Sequence, residues 1–206
     1  MSRILFDLET APLPDAAYYL IEPIEAPSNW KDPIKIDAYI AEKQAERLGR
    51  CALDPDLCQI IAVGVLRPQG DVLVLDREHD TEQSMVNVLI VASEYVGFNI
   101  LAFDLPVLFT RARYLGIRAN PHIELGRYRH PAVTDLAELL TFGNTQRMHS
   151  LSFYAKRFGI PHDDSIKGSD IPALYAAGDW DAIRRHVTSD VLATKGLCDR
   201  LGIALG

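Results

Sequence analysis

No apolar run in this chain approaches the roughly 18 to 20 residues of a membrane span. The longest, Ile60 to Leu66 and Val86 to Ala92, have the length of buried core segments. The first ten residues, MSRILFDLET, reach two acids by position 9, before the apolar stretch of a secretory signal has room to form. A cytoplasmic protein is expected. Cysteine is scarce: Cys51, Cys58 and Cys198 are an odd number with no Cys-x-x-Cys spacing, which indicates neither a disulfide framework nor a zinc site. They read as reduced, buried thiols. Positive charge is short too, at 21 Lys and Arg against 28 Asp and Glu. A net charge of −7 argues against a protein that coats duplex nucleic acid through many phosphate contacts.

The length of 206 residues, 48% of them hydrophobic, supports one full core with no sign of a second. A single domain over residues 1–206 is expected. The stretch from Arg111 to Lys167 holds nine Lys and Arg against five Asp and Glu, so the middle of the chain is basic and its flanks acidic. That distribution suits an enzyme holding a few phosphates near clustered carboxylates, and solvated surface scatter explains it equally well.

Residues 3 to 8 (RILFDL) read as a short buried strand ending at acids. Residues 11–57 read as an insertion, proline-rich at first and then helical in spacing from Ile36 to Leu48 before Gly49. Gln59 to Leu66 and Asp71 to Asp76 predict a hairpin around RPQG, Thr81 to Ala92 a helix and Tyr95 to Asn99 a further strand. Pro106 fits only the first turn of a helix running from Asp104 to Leu115. Val133 to Asp135 reads as a short fifth strand, followed by helices over 150–158, 171–177 and 180–201. An α/β three-layer arrangement follows, with the first three strands partly antiparallel and the others joined by crossovers.

Three segments carry candidate chemistry. Asp7-Leu8-Glu9 puts two carboxylates on one face of an extended chain, although about one Asp-x-Glu arises by chance in a chain of this size. Gly97 to Pro106 (GFNILAFDLP) is more particular. It combines a glycine near a strand end, where backbone can approach a ligand, an Asn with donor and acceptor capacity, and an Asp opening a helix. Alone, Asp104 reads more readily as a helix cap. His186 and Asp190 stand four apart on the last helix and share a face, which by itself describes an ordinary surface pair. Asp135 reads as the cap of a helix at Leu136, with proximity to a metal as the alternative.

Taken together and in order, these segments resemble the DnaQ-like (DEDD) 3′-5′ exonucleases, and within them the proofreading exonuclease of family B DNA polymerases and its stand-alone relatives. FDLET is similar to the first exonuclease motif and VGFNILAFDLPVL to the second. HSLSFYAKRFGIP resembles the helix before the third motif, and AGDWDAIRRHVTSDVLAT the third itself. The resemblance spans nearly the whole chain, the 11–57 insertion contributing little. One position departs: His186 stands where the proofreading branch has a Tyr four before the last Asp, not at the His spacing of the other large branch.

The resemblance implies a ribonuclease H-like three-layer fold with a mixed central sheet. The first strand is central in it, the strand before Asn99 lies beside it, and the last helix packs across their carboxyl ends. It implies that Asp7, Glu9, Asp104 and Asp190 hold two divalent cations, Mg²⁺ or Mn²⁺. Asp7 would bridge both, Glu9 and Asp190 would serve the ion that activates water, and Asp104 would act through the other ion's water shell. His186 would orient or deprotonate that water. Leu8 and Thr10 would hold the terminal nucleotide by backbone and side chain, flanked by Asn99 and Phe103. Lys167, in the stretch KGSD, would reach a phosphate or stand as a plain surface lysine. The expected activity is 3′-5′ cleavage of single-stranded DNA or RNA with a free 3′ end, and a DNA polymerase or repair partner is left open. The alternatives are an RNA-trimming enzyme of the same fold and a catalytically inactive nucleic-acid-binding module.

Overall fold

The computed structural model describes residues 3–14, 23–119, 123, 124, 126 and 130–205. Its centre is β1 (Arg3–Pro12), whose alternation sorts the chain into two faces. Ile4, Phe6 and Leu8 point into one apolar cluster with Met85, Leu89, Tyr95, Leu105 and Leu108. On the opposite face Leu5 packs with Val96, Val191 and Leu197, and Ala11 with Ile61, Ile171 and Ile183. Asp7 and Glu9 lie between Leu5 and Ala11 on that second face. The strand outruns the expected end at Leu8 because pairing with β2 (Cys58–Leu66) continues to Pro12.

Pairing of β1 with β2 is antiparallel, with a register shift in which Glu9 faces Ala62 and Thr10 faces Ile60. The extra residue, Ile61, is on β2, so the alternation of β1 survives and both carboxylates stay on one face. The expected hairpin is present as β2 with β3 (Val72–Asp76). Two parallel strands complete the sheet, β4 (Glu94–Gly97) beside β1 and β5 (Val133–Asp135) beside β4. The order is β3-β2-β1-β4-β5, a mixed sheet with the first strand in the middle, as expected.

Helix α1 (Pro33–Cys51) lies within the segment expected to be an insertion and starts three residues before the expected Ile36. Asp32 caps it, accepting the Ile34 N–H at 3.1 Å, and Pro33 needs no N–H at the first position. Helices α2 (Glu82–Ile90) and α3 (Asp104–Tyr114) cover one face of the sheet. The other face carries α4 (Leu136–Leu140), α5 (Leu151–Phe158), α6 (Ile171–Ala177) and α7 (Trp180–Leu201).

Two expectations need correction. The fourth strand ends at Gly97 and not at Asn99, because Asn99 takes a left-handed conformation with φ 61° that no strand accommodates. Helix α7 packs mainly on β2, β3 and β1, and not only across the ends of β1 and β4. Gly64 of β2 permits this: a Cβ there would lie 2.8 Å from Val191 and 3.0 Å from Val187.

Candidate active site

The second motif is built around a turn that ends β4. A Cβ at Gly97 would meet Ile100 at 2.3 Å and the Phe6 carbonyl oxygen at 3.1 Å, so this glycine admits packing by its own loop, not the expected ligand. Asp135 holds the loop open, its carboxylate accepting N–H bonds from Asn99 at 2.8 Å and Leu101 at 2.9 Å. The same carboxylate caps α4 through the Ala137 N–H at 2.9 Å, as the sequence indicated. One buried acid therefore fixes both the Asn99 turn and the start of α4.

Asp104 is not the cap of α3. It is the first helical residue, and the cap position belongs to Phe103, which makes no side-chain cap bond. The Asp104 carboxylate instead crosses to the first motif and accepts the Leu8 N–H at 3.2 Å. Thr10 is anchored in turn: its hydroxyl donates to the Ala52 carbonyl at 2.6 Å, which ties β1 to the end of α1.

From α7, His186 reaches the same place. Its side chain is 7% exposed, with Nε2 3.3 Å from Glu9 Oε1 and Nδ1 4.0 Å from Asp190 Oδ1. Burial removes the reading of His186 and Asp190 as a surface pair, and Glu9 is the nearer acid.

Asp7, Leu8, Glu9, Thr10, Asn99, Phe103, Asp104, His186 and Asp190 all line one cleft of about 700 Å³. Its wall includes Gly49, Ala52 and Leu53 at the end of α1, Met148 and His149 before α5, and Gly168 and Ser169 before α6. Lys167 stands next to that wall, exposed, its backbone N–H bonded to Asp170 at 3.0 Å, and is not among the lining residues.

Among the described residues lining the cleft there are four carboxylates and no Lys or Arg. The electrostatic cost shows in the proton affinities. Asp7 is pushed well above the usual carboxylate range, first by burial and then by Glu9, Asp104 and Asp190. Glu9 is raised by burial, Asp190 and Asp104. Burial lifts Asp104 to about 7 against the opposing Leu8 hydrogen bond, with Asp135 and Asp190 adding to the rise. An all-oxygen acid cluster without a protein counter-cation fits hard divalent ions such as Mg²⁺ or Mn²⁺.

A second acidic group, Asp76 with Glu78 and His79, is compact enough for a metal, but the protein already supplies its cation. Arg184 donates to both Asp76 oxygens, at 2.7 and 3.3 Å, and to Glu78, and its guanidinium lies 3.0 Å from His79 Nδ1. The group reads as an ion-pair anchor of α7 on β3.

Residues 53–200 match the model of a sequence family described as "predicted 3′-5′ exonuclease related to the exonuclease domain of PolB". The chain belongs to that family. No curated protein matches it in sequence. Its fold is similar to that of the family B DNA polymerase from the hyperthermophilic archaeon Pyrobaculum calidifontis, with a TM-score of 0.63 and 18% identity over 97% of this chain and 24% of the polymerase chain. The chain thus spans about a quarter of that polymerase's length. The likeness, together with the sheet order, establishes the ribonuclease H-like fold that the exonuclease motifs implied.

Sequence reasoning missed His162, whose Nε2 lies 2.9 Å from Asp190 Oδ1. Twenty-eight residues separate the two, and no spacing rule relates a loop histidine to a helix at that distance. Also missed was the second use of Asp135 as the clamp on Asn99. Its loop partners lie 34 to 36 residues upstream, and only the capping role had a local signal.

Proposed function

We propose that this exonuclease-family chain hydrolyses single-stranded DNA or RNA from a free 3′ end, with Asp7, Glu9, Asp104 and Asp190 as ligands of two divalent cations. The observation that carries the reading is the cleft itself, where acids from three separate motifs meet without a neutralising Lys or Arg among its lining residues. Bound Mg²⁺ or Mn²⁺ would supply Lewis-acid stabilisation of the attacking and leaving oxygens.

The residues of the chain do the rest. Thr10 would meet the terminal nucleotide through its backbone and Leu8 through its carbonyl, since the Thr10 hydroxyl proton is committed to Ala52 and the Leu8 N–H to Asp104. Asn99 and Phe103 flank the nucleotide from the opposite wall. Buried between Glu9 and Asp190, His186 would orient the attacking water or accept its proton. Water adds its oxygen to phosphorus as the bond to the 3′ oxygen breaks; the terminal nucleotide leaves as its 5′-monophosphate, and the 3′ oxygen takes up a proton to end the shortened strand in a 3′ hydroxyl. Lys167 is assigned to a phosphate farther along the strand.

A cleft of about 700 Å³ is of the size that encloses one small ligand, which suits an unpaired terminal nucleotide. A paired end must first unstack, at a cost of a few kcal/mol. The whole chain is inferred to act as one domain, with residues 11–57 an insertion whose end walls the cleft. Its buried, unpaired thiols, Cys51, Cys58 and Cys198, are in keeping with the reducing cytoplasm. No helix among the described residues is long and apolar enough to cross a membrane.

The test uses single strands, linear with a 5′ label and circular with an internal label, in DNA and RNA, with a blunt duplex alongside and Mg²⁺ present. A ladder shortening from the 3′ end of the linear strands, slower on the duplex and absent on circles, is the expected result. Equal rates on circles and linear strands would show an endonuclease.

A further inference from the structure

The turn between α5 and α6 is fastened to α7 at points on either side of His162. Upstream, Gly159 closes α5 in a left-handed conformation and turns Ile160 onto α7 at Gly196. A Cβ on Gly196 would lie 2.7 Å from Ile160, so only glycine allows the turn this close. Downstream, the Asp163 N–H donates to Ser189 Oγ at 2.8 Å, one residue before Asp190. Between these fastenings the His162 side chain, 7% exposed, brings Nε2 to 2.9 Å from Asp190 Oδ1. A carboxylate can only accept, so Nε2 carries the hydrogen. Among the described residues the ring's other nitrogen, Nδ1, is buried without a hydrogen-bond partner, which leaves Asp190 as the ring's polar engagement.

We propose that His162 is a positioning residue of the catalytic centre, its Nε2–H holding the Asp190 carboxylate in the orientation that ligates a divalent cation. This rests on the assignment of Asp190 as a metal ligand. His162 engages Oδ1, which leaves Oδ2 free to meet an ion. Hydrogen bonds behind a ligand fix its rotamer before metal arrives, and their loss typically lowers metal affinity or activity by about 10- to 100-fold.

The test is Mn²⁺ binding to the full chain, followed by calorimetry and by the paramagnetic resonance of free Mn²⁺, with kcat and KM on a single-stranded oligonucleotide measured in parallel. His162→Leu fills the space without a donor, and His162→Gln returns an N–H near the position of Nε2. Melting in EDTA confirms that each variant is folded. The expected result is Mn²⁺ binding about 10- to 100-fold weaker in His162→Leu, a lower kcat at unchanged KM, and His162→Gln within about threefold of wild type on both. Wild-type Mn²⁺ affinity in His162→Leu overturns the proposal, as does a His162→Gln no better than His162→Leu. Asp190→Asn separates the two levels. If it binds Mn²⁺ weakly while His162→Leu binds normally, only the role of His162 fails; if it too binds normally, the metal reading of Asp190 fails with it.

Discussion

Asp104 bears most directly on how the acid cluster is held together. Burial lifts its proton affinity from the ordinary carboxylate range to about 7. Between about pH 4 and 7 the folded chain therefore keeps a proton that the unfolded chain has released. The stability this proton lends is complete at the acid end and is lost as the pH rises through 7. In EDTA, Asp104→Asn should melt close to wild type near pH 4 and several degrees above it near pH 8, because the amide keeps an acceptor for Leu8 without the charge. Equal melting curves at both values would show that the cluster carries no such strain. His186 yields a second expectation. It occupies the azimuth four residues before Asp190, so a tyrosine placed there should still orient water. His186→Tyr should retain at least about tenfold more activity than His186→Ala, whose loss is expected at about 10²–10⁴-fold. Similar rates in wild type and both variants would take His186 out of the mechanism. These side chains were legible in the sequence because motif spacing carried them. Asp104 as a cross-strand acceptor was not, since a helix-opening Asp has the same local signature whether it caps or reaches across.

At the scale of elements, the strands and helices followed from apolar alternation and caps, and the errors fell where long-range contacts override local signals. Strand β1 continues past its acids because its pairing with β2 runs on to Pro12. Strand β4 stops early because Asp135 pulls Asn99 into a left-handed turn. The placement of α7 depends on Gly64, a residue that reads locally as one more position in a β-branched run. Asp135 is the element-level hinge of the site. Asp135→Ala should lower stability by about 2–4 kcal/mol, since it removes a helix cap and leaves the Asn99 and Leu101 N–H groups without their acceptor. It should also raise KM as Asn99 loses its fixed conformation. Denaturant unfolding and steady-state kinetics check both; a change in stability with no change in KM would mean that the turn holds without its clamp.

Over the whole molecule, a net charge of −7 and a cleft lined by acids are a poor surface for nucleic acid unless cations intervene. The sheet order, the convergence of three motifs from distant parts of the chain and the family membership agree on a domain related to the polymerase exonuclease, and the proposed metal would answer the charge of the acids. Residues 11–57, opaque in sequence because their proline-rich start has no periodicity, supply one wall of the cleft through Gly49, Ala52 and Leu53. The most direct measurement is the rate of shortening of a 5′-labelled single-stranded oligonucleotide by wild type and Asp7→Ala, each titrated with Mg²⁺ from an EDTA-treated state. Wild-type activity should be absent without metal and rise with Mg²⁺, while Asp7→Ala, folded and at least as stable, should fall by about 10³-fold or more at saturating Mg²⁺. Cleavage by wild type in EDTA, or undiminished cleavage by Asp7→Ala, would contradict the metal-dependent site assigned to this cleft.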